Sequence, residues 1–192
     1  MKNLIYPLAF SAALFFQACN NNANKTTDHA DSTNLITGDA MPSPGSMQGT
    51  TADTTFTNKA AIGGMAEVEL SKLATEKSSN AKIKDFASQM VKDHTKVNDE
   101  LKAIAENKNI MLPTSLDAEH AKVKKDLEGK QGAEFDKAYV KAMVDGHKKT
   151  HSLMEDGAKN NLDAELKAFA AKTEPVVKHH LEMVQQLESD MK

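Results

Sequence analysis

Phe86, Met90, His94, Val97, Leu101 and Ile104 follow one another at steps of 4, 4, 3, 4 and 3. A helix of 3.6 residues per turn puts all six on one side. Further on, Leu166, Ala170, Thr173, Val177, His180, Val184 and Leu187 keep a strict 4-3 alternation. A strand would need alternation at every second residue, so these two stripes predict an all-α protein. Only 5% of residues are aromatic and there is no tryptophan, which also suits helices rather than a sheet. Each stripe carries one histidine among its apolar residues.

The same periodicity organises the chain from about residue 55 to its end. A first helix is expected over 57–77, with Ile62, Ala66, Leu70, Leu73 and Ala74 inward. Ser78-Ser79-Asn80 breaks it and caps a second helix reaching about Lys108. A short helix over 116–128 follows Pro113-Thr114-Ser115, and long ones are expected over 133–160 and 163–191. Pro175 should kink the last by removing a backbone donor. Short turns at Ser78 and Asn160 imply two antiparallel hairpins, hence a four-helix bundle with a short extra helix in the connection. That connection can run the length of the bundle or fold back on one end.

The first 54 residues read differently. Lys2 followed by the apolar stretch 4–16 is a signal peptide over 1–18, too short to span a bilayer. Ala18-Cys19 has the small-residue-then-cysteine form of a lipidation site, although Phe16 and Gln17 depart from its usual pattern. Cys19 is therefore expected to carry the lipid that holds an exported protein to a membrane, with Asn20 after it favouring the outer one. Residues 20–54, rich in Asn, Thr, Ser, Gly and Pro, cannot bury enough apolar surface to order themselves and are expected to act as a tether. His29, Met41 and Met47 are soft-metal donors by type, but scattered ones, and the incidental reading comes first.

Composition removes several functions. Lysines supply all 24 cations against 27 acids, and arginine is absent, which argues against a nucleic-acid binder. The lone cysteine excludes an internal disulfide, a zinc finger and a CxxC pair. No nucleophile elbow, phosphate loop or dinucleotide fingerprint occurs, so no catalytic residue is assigned.

What chemistry remains lies with Glu67, His94, His147 and His180, one from each long helix. Helical bundles build metal sites this way, and imidazole with carboxylate suits iron, zinc or manganese. Phe86-x-x-x-Met90-Val91-x-x-His94 is echoed 53 residues later by Tyr139-x-x-x-Met143-Val144-x-x-His147, which sets two histidines at one height. His147 lies at the margin of its stripe, and His151 could pair with it. A two-metal centre would want glutamate three residues before histidine, where this chain has Val91, Val144 and Val177. Only Asp117-x-x-His120 has an acid at that spacing, in the short helix. A mononuclear His/Glu site survives. The plainer reading, placed ahead of it, makes these histidines core residues bonded to Asp93, Asp145 or Glu67.

The run Ala60-Ala61-Ile62-Gly63-Gly64-Met65-Ala66-Glu67-Val68-Glu69-Leu70 resembles the bacterial domain of unknown function 4142 family. So do Phe86-Ala87-x-x-Met90-Val91-x-Asp93-His94, Phe135-Asp136-x-x-Tyr139-Val140, and Pro175 with His180-Leu181. The resemblance implies a ferritin-like helical bundle in an exported envelope protein and brings no established activity. Glu67, Asp93, His94, His147 and His180 match polar positions of the family pattern. The expectation is a non-catalytic binding module with a partner in the envelope; a metal-binding storage or stress-protection protein is the alternative.

Overall fold

Asn80 begins the second helix by accepting hydrogen bonds from the Lys82 and Ile83 amides at its side-chain oxygen, and Asn109 ends it. Asn109 takes a left-handed φ of 53°, which turns the chain so that the Ile110 amide bonds back to the Ala105 carbonyl at 2.9 Å. That closing bond, with Ile110 buried behind it, is a Schellman-type stop. The computed structural model describes residues 49–160 and 163–191. The expected signal peptide, Cys19, His29, Met41, Met47 and the expected tether up to residue 48 lie outside the described residues.

Five helices and no strand occur among the described residues: α1 (Thr51–Lys77), α2 (Ala81–Asn107), α3 (Ala118–Glu128), α4 (Gly132–Asn160) and α5 (Ala164–Asp190). The sequence reading placed four of them within two residues at each end. It missed the start of α1, which begins six residues before Thr57, inside the stretch assigned to the tether. The cause is a capping box: the Asp53 amide donates to Thr50 Oγ1 at 3.1 Å, and the Thr50 amide donates to Asp53 Oδ2 at 3.0 Å. Threonine-rich sequence hid the cap. Pro175 does not break α5, which continues through it.

α1 packs along α2, and α4 along α5; α1 also meets α4, and α2 meets α5. Contacts fix the directions. Glu67 lies by Thr150, and Gly157 by Phe56, so α1 and α4 are antiparallel. Lys82 with Asp190 and Lys172 with Glu100 make α2 and α5 antiparallel as well. α2 and α4 therefore run the same way, and the chain between them must return along the bundle. α3 lies in this crossover, held on α1 and α4 by Leu127 in the core and by the ion pairs Lys124–Glu69 and Lys149–Glu119.

Small residues on α1 and α4 bring these helices close to their neighbours. A Cβ on Gly64 would sit 2.0 Å from Asn98 Oδ1, and one on Gly157 2.5 Å from the Phe56 ring. Two apolar clusters fill the interior. Ile83, Phe86, Met90, Phe135, Tyr139 and Met143 belong to one; Phe56, Leu101, Ile104, Met154, Leu166 and Phe169 belong to the other. None of the described helices is long and apolar enough to cross a membrane.

Candidate metal centre

Between the two apolar clusters lies a polar layer. Glu67 of α1, His94 of α2, His147 of α4 and His180 of α5 are exposed by only 3%, 3%, 0% and 2%. All four helices thus deliver the residue expected of them to one depth. His147 is not marginal, as its stripe implied, but wholly enclosed. The echoed segments on parallel α2 and α4 do set their histidines level, with ring centroids 5.3 Å apart. His94 and His180 are separated by 5.2 Å, and His147 and His180 by 5.7 Å.

Two of the rings are held by a hydrogen bond from one nitrogen, and the third lies against Glu67. His147 Nδ1 donates to the Met143 carbonyl at 2.9 Å and lies 3.5 Å from Glu67 Oε1. His180 Nε2 donates to Asp93 Oδ2 at 3.0 Å, and Gln89 steadies that same oxygen from 2.6 Å. His94 Nδ1 stands 3.0 Å from Glu67 Oε2 without hydrogen-bond alignment. The Thr150 hydroxyl donates to Glu67 Oε1 at 3.1 Å. A carbonyl or carboxylate partner requires a proton on the nitrogen facing it, so these contacts choose the tautomer. The lone pair is left on His147 Nε2 and His180 Nδ1, and His94 Nε2 is the nitrogen turned away from Glu67.

Those three nitrogens are buried and have no hydrogen-bond partner. Leaving a buried polar atom unpaired costs about 1–3 kcal/mol, and three together approach the whole net stability of an ordinary domain. The plainer sequence reading is thus half right: Glu67 and Asp93 do hold histidines, while Asp145 pairs with Lys141 instead. One side of every ring stays unsatisfied. One ligand nitrogen from each of the three lies within 4.8 Å of the other two. An ion with bonds of about 2.0–2.1 Å would draw each in by under about 1 Å. Glu67 stands behind the trio, on the Nδ1 side of His94 and His147.

Electrostatics fit neutral rings. Burial pushes the His147 imidazolium down, against the pull of Glu67. Burial, with His94 nearby, lowers His180 to about 4. Burial would raise the Glu67 carboxyl, but His94, His147 and the Thr150 hydroxyl together hold it below its usual value. His147 and His180 are therefore unprotonated near neutrality, as metal ligands must be.

The other histidines named in the sequence go elsewhere. His151 bonds Glu174 at 2.7 Å rather than pairing with His147. His120 meets Asp117 at 2.6 Å, where Asp117 caps α3. Sequence reasoning missed Thr150, three residues after His147 amid lysines, where no periodic signal marked it. It also missed the Met143 carbonyl, which no side-chain pattern can reveal.

The chain matches the family described as Domain of unknown function (DUF4142) over residues 39–187. It belongs to that family. Three solved structures similar to this DUF4142 chain share its fold. A DUF305 fragment from Deinococcus radiodurans is 10% identical, with a TM-score of 0.66 over 74% of this chain and 99% of that one. CopM in its Cu(II)-bound form is 14% identical, with a TM-score of 0.63 over 73% and 97%. A DUF305 protein from Streptomyces coelicolor, described as secreted, is 12% identical, with a TM-score of 0.61 over 73% and 93%. No curated protein matches in sequence.

Proposed function

We propose that this protein is a binding module of the bacterial envelope whose ligand is one transition-metal ion, held by His94, His147 and His180. The observation that carries this reading is the set of three buried imidazole nitrogens left without partners, while the opposite nitrogens of His147 and His180 are hydrogen-bonded and that of His94 lies beside Glu67. Carboxylate-backed histidine is how proteins orient imidazole toward a metal. Glu67 and Asp93 are then positioning residues, and Glu67 becomes a fourth ligand only by turning from its present contacts.

Three imidazole ligands suit zinc or copper best and iron next; manganese, which prefers oxygen donors, comes last. CopM, bound to copper on a similar fold, adds weight to copper. The absence of a paired carboxylate set favours holding a metal over oxidative catalysis, so storage or sequestration is the role. We further read the bundle as ferritin-like, in view of its crossover between parallel helices. Export through the signal over 1–18 and attachment through lipid on Cys19 complete the proposal; a secreted relative in fold agrees with export.

The test is the melting of metal-free full chain with zinc(II), copper(II), iron(II) or manganese(II). An ion at a hundred times its Kd adds about 2.7 kcal/mol, a rise of several degrees. Replacing His94 and His180 together with alanine should abolish the rise. No shift with any of the four ions would remove the proposal.

A further inference from the structure

A site sealed inside a bundle needs a way in, and one face of this bundle supplies it. Between α2 and α5 a groove of about 840 Å³ reaches from the surface to the outer edge of the histidine layer. Phe86, Gln89, Asp93, His179, His180 and Met183 are among its lining residues. His180 belongs to both places: its Nε2 faces Asp93 in the groove, and its Nδ1 is the buried nitrogen without a partner. The Asp93 side chain is 25% exposed, so water reaches the carboxylate that touches the ring. Asp85, Asp93, Glu182 and Asp190 line the groove against one lysine, Lys82, which Asp190 already pairs. Such an excess of carboxylates concentrates cations.

We infer that the α2–α5 groove is the loading path for the metal, with Asp93 receiving the cation at the surface and the His180 ring passing it to His94 and His147. This rests on the proposed three-histidine site and adds its route. Asp93 then has two duties. It fixes the His180 tautomer, and it is the first anionic group an incoming ion meets.

A path differs from a ligand in its kinetic signature. An obstacle on the path slows arrival and departure by the same factor and leaves Kd unchanged. The experiment mixes metal-free full chain with zinc(II) and follows uptake, then release to excess chelator. Gln186→Trp puts bulk into the groove from an exposed position. Ala168→Trp puts equal bulk into a separate depression between the same helices, lined by Glu100, Ile104 and Lys172 and by none of the three histidines. Gln186→Trp should slow uptake and release at least tenfold with Kd within twofold of the parent, while Ala168→Trp changes neither. Reversing two exposed groove charges, Asp85→Lys with Glu182→Lys, should slow uptake several-fold at low salt and lose that effect at about 1 M, where screening reaches about 3 Å. Tight zinc binding with unaltered rates in both groove variants would overturn the path and leave the site standing. No zinc binding by the parent chain would overturn both.

Discussion

One turn apart on α1, two buried polar positions obey opposite rules. Ser71 meets the Tyr139 hydroxyl at 2.9 Å within the apolar cluster, so each hydroxyl has a partner. Glu67, four residues earlier, faces a layer in which three imidazoles each keep one nitrogen unpaired. Both positions are sealed from water by the same helices, so a general shortage of hydrogen-bond partners is not the cause. The difference teaches what separates a structural polar contact from a binding site: the first is complete in the protein alone, and the second is complete only with something added.

Substitution at His147 should break this contrast most strongly. His147→Leu removes one orphaned nitrogen and keeps apolar bulk, since the Met143 carbonyl retains its place in the helix. Metal-dependent stabilisation should vanish, while the metal-free protein melts at the same temperature or a few degrees higher, as when buried polar groups yield to apolar ones. A lower melting point with the metal shift intact would make the layer structural. Glu67→Gln comes next. If the carboxylate orients His94 and His147 from behind, metal affinity should fall about 10- to 100-fold and survive. Complete loss in an isothermal titration would instead make Glu67 a ligand.

Acid should separate the regions more gently. The folded protein holds His180 down to about 4 and His147 below its ordinary value, mainly through burial. An unfolded chain protonates these rings near pH 6.5. Stability of the metal-free protein is therefore full above about pH 6.5 and declines as pH falls from there toward 4, because the unfolded state binds more protons in that window. Glu67 and Asp93, whose carboxyls sit below their usual values, lose their contribution further down. A melting curve flat between pH 7 and 4.5 would contradict neutral burial of the rings.

Periodicity exposed most of this because a helix repeats every 3.6 residues whatever its neighbours do. His94 and His180 were legible on their stripes, and the echo around Met90 and Met143 set His147 level with His94. Directions of packing were not legible: the connection of α2 to α4 is long enough for either path, and only contacts such as Gly157 on Phe56 decide. Nor was the start of α1, where Thr50 and Asp53 cap a helix inside sequence that looks like linker. The tautomers were hidden too. They depend on which acceptor each ring meets, and one of those is a backbone carbonyl.

The smallest expected effect belongs to the completed side of the comparison. Tyr139→Phe removes the hydroxyl that Ser71 meets and leaves the ring stacked on Phe135, 6.2 Å between centroids. Ser71 Oγ keeps only a weak approach to Met143 Sδ at 3.9 Å. Losing one side of a buried hydrogen bond costs about 1 kcal/mol, or a few degrees of melting temperature. The metal-dependent rise should be unchanged, since neither hydroxyl touches the three imidazoles. Tyr139 and His147 sit two turns apart on α4, so if Tyr139→Phe weakened metal binding as well, the helix would be transmitting a packing change between them. The boundary between a finished contact and an unfinished site would then lie two turns further along α4.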